Sequence, residues 1–188
     1  MRLFSIWTAM VLLTSTAMAS ASTFQNVITD ELYTEQNHPE LYCLAQNVYF
    51  EAKSEPLAGQ YAVADVVLNR VKDTRYPNTI CEVVKEGPIK ESWKTRQHAD
   101  LPDDQRVYFP KRNKCQFSWY CDGKPDTIRD GDAWRQAQIV AYRITYNERH
   151  RGLTEGATHY HADYVHPKWA STLQLVGRIA THIFYRWP

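Results

Sequence analysis

Pro56 limits how this chain can fold more than any other residue. It stands between two stretches that both carry helical apolar spacing. A proline lacks the backbone donor and disfavours α geometry in the residue before it, so one continuous helix is ruled out. Upstream, in "PELYCLAQNVYFEAKSE", Leu41, Leu44, Ala45, Val48 and Ala52 share a face. Downstream, in "PLAGQYAVADVVLNRVKD", Ala62, Val63, Val66, Val67 and Val71 do the same. The pattern predicts a helix ending near Lys53 or Ser54 and a second helix with Pro56 as its first residue.

The rest of the chain reads as follows. "TICEVVKEG" is a short helix closed by Gly87. Residues 88–114 are charged and irregular, and suggest an ordered, lid-like insert. "CQFSWYC" followed by "DGK" suggests a strand or hairpin ending in a turn. "DAWRQAQIVAYRITYNE" is a clear helix, with Trp134, Ala137, Val140, Ala141 and Ile144 on one face. "GATHYHADYVHP" is a loop with room for short strands. "PKWASTLQLVGRIATHIFYRW" reads as a last helix opened by Pro167, with Trp169, Leu173, Val176, Ala180 and Ile183 inward. The expected class is mainly α within α+β: one helical domain over residues 39–188 with a small β-hairpin element.

The first residues have the form of a signal peptide. Arg2 precedes the apolar run "LFSIWTAMVLL", and "AMA" or "ASA" offers small residues for cleavage near residue 21. Residues 22–38 form a polar lead-in. No later segment is apolar enough to span a bilayer, which takes about 20 residues. Four cysteines follow the leader: Cys43, Cys81, Cys115 and Cys121. An even number in an exported chain suggests two disulfides, and spacing leaves all three pairings open. Their spacings lack the close pairs of a zinc site. With 22 Lys and Arg against 21 Asp and Glu, the chain has no charge bias toward nucleic acid.

Glu51 is the chemically informative residue. It sits on the flank of the apolar stripe, beside Leu44 and Val48, about one turn before its helix must stop. Burial and the negative end of the helix dipole both disfavour an ionised carboxyl there. A carboxylic acid that keeps its proton near neutrality can donate it to a leaving group, as glycosidic cleavage requires. The plain alternative is a boundary glutamate paired with a lysine or arginine. Glu55, before Pro56, suits a capping role for the second helix.

The stretches "NVYFEAKSEPLAGQYAVADVVLNRV", "YPNTICEVV", "CQFSWYCDG" and "ATHYHADYVHPKWA…IATHIFY" resemble the SleB/CwlJ-type cell-wall hydrolase family, in the family's order, over most of residues 41–186. The resemblance implies a lysozyme-like domain that cleaves peptidoglycan glycan strands between N-acetylmuramic acid and N-acetylglucosamine, as a lytic transglycosylase or a muramidase. It assigns catalysis to Glu51, the first glutamate of the Y-x-E-A-x-x-E motif. No cofactor is expected, the chain is expected to be a monomer, and the signal peptide points to the periplasm, cell envelope or exterior. Lys53 and Ser54 depart from the family's usual arginine and glycine.

On this reading Gln116 and Ser118 bind N-acetyl groups, while Phe117, Trp119 and Tyr160 stack on sugars and His161 adds a contact. Core packing is the competing account of Phe117 and Trp119. A hydrolytic route needs a second carboxylate, for which Glu55, Asp122 and Asp126 are candidates. Two readings from other classes remain. His159, His161, Asp163 and His166 spell H-x-H-x-D-x-x-H, close to a metallohydrolase motif but with Tyr164 where that motif has histidine. A scaffold that binds the wall without cutting it is the other. His182 reads as a satisfied core histidine on the last helix.

Overall fold

The computed structural model describes residues 34–188, so the expected leader and residues 22–33 of the lead-in lie outside the described residues. The first helix, α1 (Pro39–Ala52), is the centre of the domain. It packs against α2 (Leu57–Lys72), α3 (Ile80–Val84) and α5 (Gly131–Tyr146). Leu41, Leu44, Ala45, Val48 and Ala52 are all buried, as their spacing predicts. Pro56 caps α2 from just outside instead of occupying its first turn. Pairs α1–α5 and α1–α2 enclose one core that includes Tyr61, Val67, Val140, Ala141 and Ile144.

Local bonds hold the helix ends in register. Glu40, in the first turn of α1, accepts the backbone N–H groups of Ile80 and Cys81 and so caps α3. The Cys43–Cys81 disulfide joins the same two helices one turn away, with 5.2 Å between the Cα atoms. The Tyr49 hydroxyl accepts from Arg129 and Asp130, and Asp130 caps α5 through Asp132 and Ala133.

Residues 88–114, which the sequence presents as irregular, hold short regular elements. They form a two-stranded antiparallel hairpin of β1 (Ile89–Glu91) and β2 (Tyr108–Pro110), with a one-turn helix α4 (Trp93–Arg96) in the connection. "CQFSWYC" is not a strand. It is a tight helical turn over Ser118–Cys121 closed by the Cys115–Cys121 disulfide. Six residues of extended chain would span about 20 Å, whereas these cysteine Cα atoms lie 6.1 Å apart.

The last helix of the sequence reading is also corrected. Residues 168–172 make a short helical turn, then β4 (Gln174–Ile179) and β5 (His182–Arg186) form a hairpin. With β3 (His159–Ala162) they build an antiparallel sheet of order β3-β5-β4. The segment is rich in Val, Ile, Thr and aromatic residues, which favour strands. A register irregularity between Leu175 and Gly177 shifts the alternation and produces spacing that imitates a helix. The tight turn places Ala180 at φ 53°, a geometry that ends either pattern. Phe184 then seats against Ala62, Val66 and Ala157, docking the sheet on α2.

The loop that delivers β3 is fastened to a polar edge of α2. Asp65 is fully buried, and its carboxylate accepts from Gly152 N–H, Thr154 N–H, the Thr154 hydroxyl and the Arg151 guanidinium. Asn69 donates to Ala157 O and Thr154 Oγ1, and Arg70 Nε donates to Thr158 O at 2.8 Å. Asp65→Ala removes the acceptor of four donors, of which the Thr154 N–H and hydroxyl are buried. It is expected to lower the unfolding free energy by about 3–5 kcal/mol in urea denaturation, well beyond the effect of Asn69→Ala.

Candidate functional site

A cleft of about 420 Å³ opens where α1, α2, the 116–122 turn and the three-stranded sheet meet. The end of α1 contributes Phe50 and Glu51, and α2 contributes Arg70. The disulfide-closed turn supplies Gln116, Phe117, Ser118, Trp119 and Asp122. The sheet supplies Tyr160, His161 and His182, and Tyr164 stands at the rim. Segments far apart in sequence are thus gathered by the docking of β3 on α2.

Glu51 is half-buried, with its Oε2 accepting from the Tyr160 hydroxyl at 3.1 Å. Burial pushes its carboxyl above the ordinary value; the Tyr160 hydrogen bond and the Arg70 charge pull part of the way back. Arg70 is buried, holds Thr158 O through Nε, and lies over the rings of Tyr76 and Phe117 at 5.4 and 5.1 Å. Its Nη1 has no hydrogen-bond partner among the described residues. Burial and the Glu51 charge hold the Tyr160 phenol well above its usual value, so it remains a donor at neutral pH. The site therefore offers a carboxyl raised above its ordinary range, a neutral phenol and a fixed cation around one cleft.

The predicted residues divide clearly. Glu51, Gln116, Phe117, Ser118, Trp119, Asp122, Tyr160 and His161 line the same cleft. Gln116 and Ser118 are exposed, while Phe117 and Trp119 are buried at 2% and 8%, so most of each ring serves the core. Trp119 stacks on Phe50 at 4.7 Å and donates from Nε1 to the buried Asn47 Oδ1. The Cys115–Cys121 disulfide closes this wall.

Glu55 and Asp126 are not in the cleft lining. Glu55 neither caps α2 nor faces the cleft: its carboxylate accepts from the N–H and hydroxyl of Thr181, pinning the β4–β5 turn beside the α1–α2 corner. Asp126 is an exposed residue whose carboxyl is partly desolvated; that partial burial and the Asp122 charge raise it. The histidine motif does not converge. His159 and His161 project from one face of β3 into an aromatic cluster with Trp169, Asp163 pairs with Arg178 at 2.5 Å, and His166 is exposed. Among the described residues no group of three or more His, Cys, Asp or Glu could hold a metal ion. His161 instead contacts the Tyr185 hydroxyl through Nε2 and Ala162 O through Nδ1. Burial, then Arg70 and Arg75, lower His159 to about 4.

Sequence reasoning missed Phe50, Arg70, Tyr164 and His182. Arg70 had a readable signal: it extends the stripe Ala62, Val63, Val66, Val67 by one turn, which puts a cation on a buried face. His182 is on a strand, not a helix, and its buried Nδ1 has no hydrogen-bond partner among the described residues.

A family model described as cell wall hydrolase matches residues 54–185. The chain belongs to the cell wall hydrolase family. The match begins at Ser54, so membership does not itself rest on Glu51. The chain is similar to the spore cortex-lytic enzyme of Halalkalibacterium halodurans, with 43% identity over 106 residues, covering 53% of this chain and 32% of that protein. It is also similar to the spore cortex-lytic enzyme of Oceanobacillus iheyensis, with 43% identity over 109 residues, covering 53% and 38%. The similarity thus spans about a third of these relatives' length. The catalytic domain of the germination-specific lytic transglycosylase SleB from Bacillus anthracis superposes with a TM-score of 0.51 and 24% identity, over 84% of this chain and all of that domain. That likeness shows the fold, a lysozyme-like α+β domain.

The folded state retains the Glu51 proton at a pH where the unfolded chain has released it. Stability from this group is therefore full below the ordinary carboxyl pKa and falls as pH rises through the raised one. Glu51→Gln is expected to melt higher than the parent at neutral pH, the difference fading toward about pH 4; thermal denaturation across pH checks it. Removing the nearby cation in Arg70→Met is expected to move the Glu51 titration upward, with Arg70→Lys in between, as read by carbon NMR of the labelled carboxyl.

Proposed function

We propose that this domain cleaves peptidoglycan glycan strands between N-acetylmuramic acid and N-acetylglucosamine, with Glu51 as the catalytic acid. The observation that carries the proposal is the half-buried Glu51 carboxyl, raised by its surroundings and held by Tyr160 in a cleft sized for sugar rings. Its membership of the cell wall hydrolase family supports the substrate class.

The glycan lies along the cleft with its N-acetyl groups toward Gln116 and Ser118. Glu51 gives its proton to the bridging oxygen as the bond from the anomeric carbon breaks, through an oxocarbenium-like state. N-acetylglucosamine leaves with the proton on its 4-hydroxyl. The ionised Glu51 then takes the proton of the muramoyl 6-hydroxyl as that oxygen bonds to the anomeric carbon. The product is a 1,6-anhydro end, Glu51 is protonated again, and no water is consumed. Tyr160 and the Arg70 charge make the ionised form attainable between the two steps. A lytic transglycosylase is the preferred reading because one carboxylate serves both transfers.

One observation favours a second reading. Asp122 lines the same cleft, where it could position a water for hydrolysis. It is held by Lys124 N–H at 2.7 Å, with the Lys124 ammonium at 3.6 Å. The domain acts in the periplasm or cell envelope as a single copy; among the described residues no helix is long and apolar enough to cross a membrane.

Mass spectrometry of digested peptidoglycan tests the proposal. Anhydro ends are expected, and Asp122→Asn is expected to keep most of the rate. Reducing ends, lost with Asp122, would establish the hydrolytic route. Glu51→Gln is expected to lose at least about 10²-fold in rate while still binding glycan. Uncut glycan bound by the parent chain would mark a wall-binding scaffold and end the catalytic proposal.

A further inference from the structure

The 88–114 insert takes no part in the cleft, and it carries an unusual surface. Ile89, Trp93, Val107, Tyr108 and Phe109 lie together in sequence or across the hairpin, each exposed by 45% to 60%. The two strands make their principal contacts with one another, not with the helical body. Strand pairing places Lys90 opposite Phe109 and Glu91 opposite Tyr108. Successive side chains alternate, so apolar groups emerge on both faces of the ribbon. An isolated two-stranded hairpin is at best marginally stable in water, and exposing both faces gains it nothing there.

The charges on the insert have one sign in excess. Lys90, Lys94, Arg96, Lys111 and Lys114 are exposed and enter no ion pair among the described residues. Of the acids, Glu91 and Asp103 are both paired with Arg106, at 2.8 and 3.4 Å. Asp100 and Asp104 are left, in the connecting loop. The surface thus combines aromatic and aliphatic groups with free cations on long stems.

We propose that this hairpin is a peripheral membrane-contact element that seats Trp93, Phe109 and their aliphatic neighbours in the interface of an anionic lipid bilayer. Aromatic rings favour that zone, and lysine and arginine stems reach back to anionic headgroups. A saccharide strand is the other candidate occupant. It stacks on one face of a ring and has no use for Ile89 and Val107, whereas lipid surrounds a ribbon on both faces. The inference does not depend on the chemistry in the cleft.

The full-length chain is sedimented with phosphatidylcholine vesicles with and without phosphatidylglycerol, and amide hydrogen exchange is followed at residues 89–110. Any binding by the apolar N-terminal run is common to every variant. Phosphatidylglycerol vesicles are expected to bind more chain and to protect residues 89–110. Trp93→Ser with Phe109→Ser, and Lys90→Glu with Lys94→Glu, are each expected to weaken partitioning about tenfold. Both pairs lie outside the cleft lining, so glycan digestion in solution is expected to be unchanged. Unaltered partitioning of both variants, or vesicle binding without protection of 89–110, would overturn the proposal. So would protection by soluble glycan fragments but not by vesicles, which would assign the surface to saccharide.

Discussion

The buried Asp65 carboxylate is the constraint on which the rest of the site depends. It sits on α2 with no exposure to solvent, and it is tolerable there because four donors from residues 151–154 converge on it. Those donors come from a loop that needs left-handed backbone at Glu148, His150, Gly152, Glu155 and Gly156. Non-glycine residues pay for such geometry, and the bonds to Asp65 and Asn69 offset it. One turn further along α2, Arg70 takes hold of Thr158 O. β3 begins at the next residue, and Tyr160 follows with its hydroxyl on Glu51. The path from a buried aspartate to the cleft acid is a short covalent run fixed at each end by α2.

This arrangement solves an electrostatic conflict. Desolvation alone would make Glu51 reluctant to give up its proton. Full pairing with an arginine would leave it ionised, with no proton to give. In the structure Tyr160 donates to Glu51 directly, while Arg70 acts on it through space, its Nε already committed to Thr158. The carboxyl is thereby raised without being locked in either form, which suits a residue proposed to give and then take a proton. Tyr160 can serve here because its own burial beside Glu51 keeps the phenol protonated.

The helical part of the fold was legible because its signal is periodic. The stripes on α1, α2 and α5 follow 3.6-residue spacing, and Pro56 marks the corner between the first two. The half-burial of Glu51 beside Leu44 and Val48 was legible for the same reason, but spacing alone fits a boundary glutamate equally, and its proposed role as the acid came from the family resemblance. The sheet was not legible. Residues 174–186 carry a register irregularity and a tight turn within a few residues, so apolar spacing there mixes periods of two and three to four. The 115–121 wall was misread because its shape is imposed by a disulfide whose pairing spacing leaves open. Glu55 was misread because its partner, Thr181, is distant in sequence and belongs to that same unrecognised hairpin.

Lys53 and Ser54, where the sequence resemblance leads one to expect arginine and glycine, lie outside the cleft lining. Both are exposed, and the Lys53 ammonium lies 4.9 Å above the Tyr49 ring, which faces α5 and not the cleft. Cation–π contact tolerates either base, since it asks only for a positive charge over the ring. The tighter restriction lies on the other side of the corner. A Cβ added at Gly59 would come within 3.0 Å of Glu55 Cβ and 3.2 Å of Ala180 Cβ, so the β4–β5 turn would have to give by a few tenths of an ångström. That turn is held by Glu55, β5 pairs with β3, and β3 carries Tyr160. The α1–α2 corner therefore fixes the cleft acid from two directions at once: through the helix that ends at Ala52, and through the sheet whose turn must fit against Gly59.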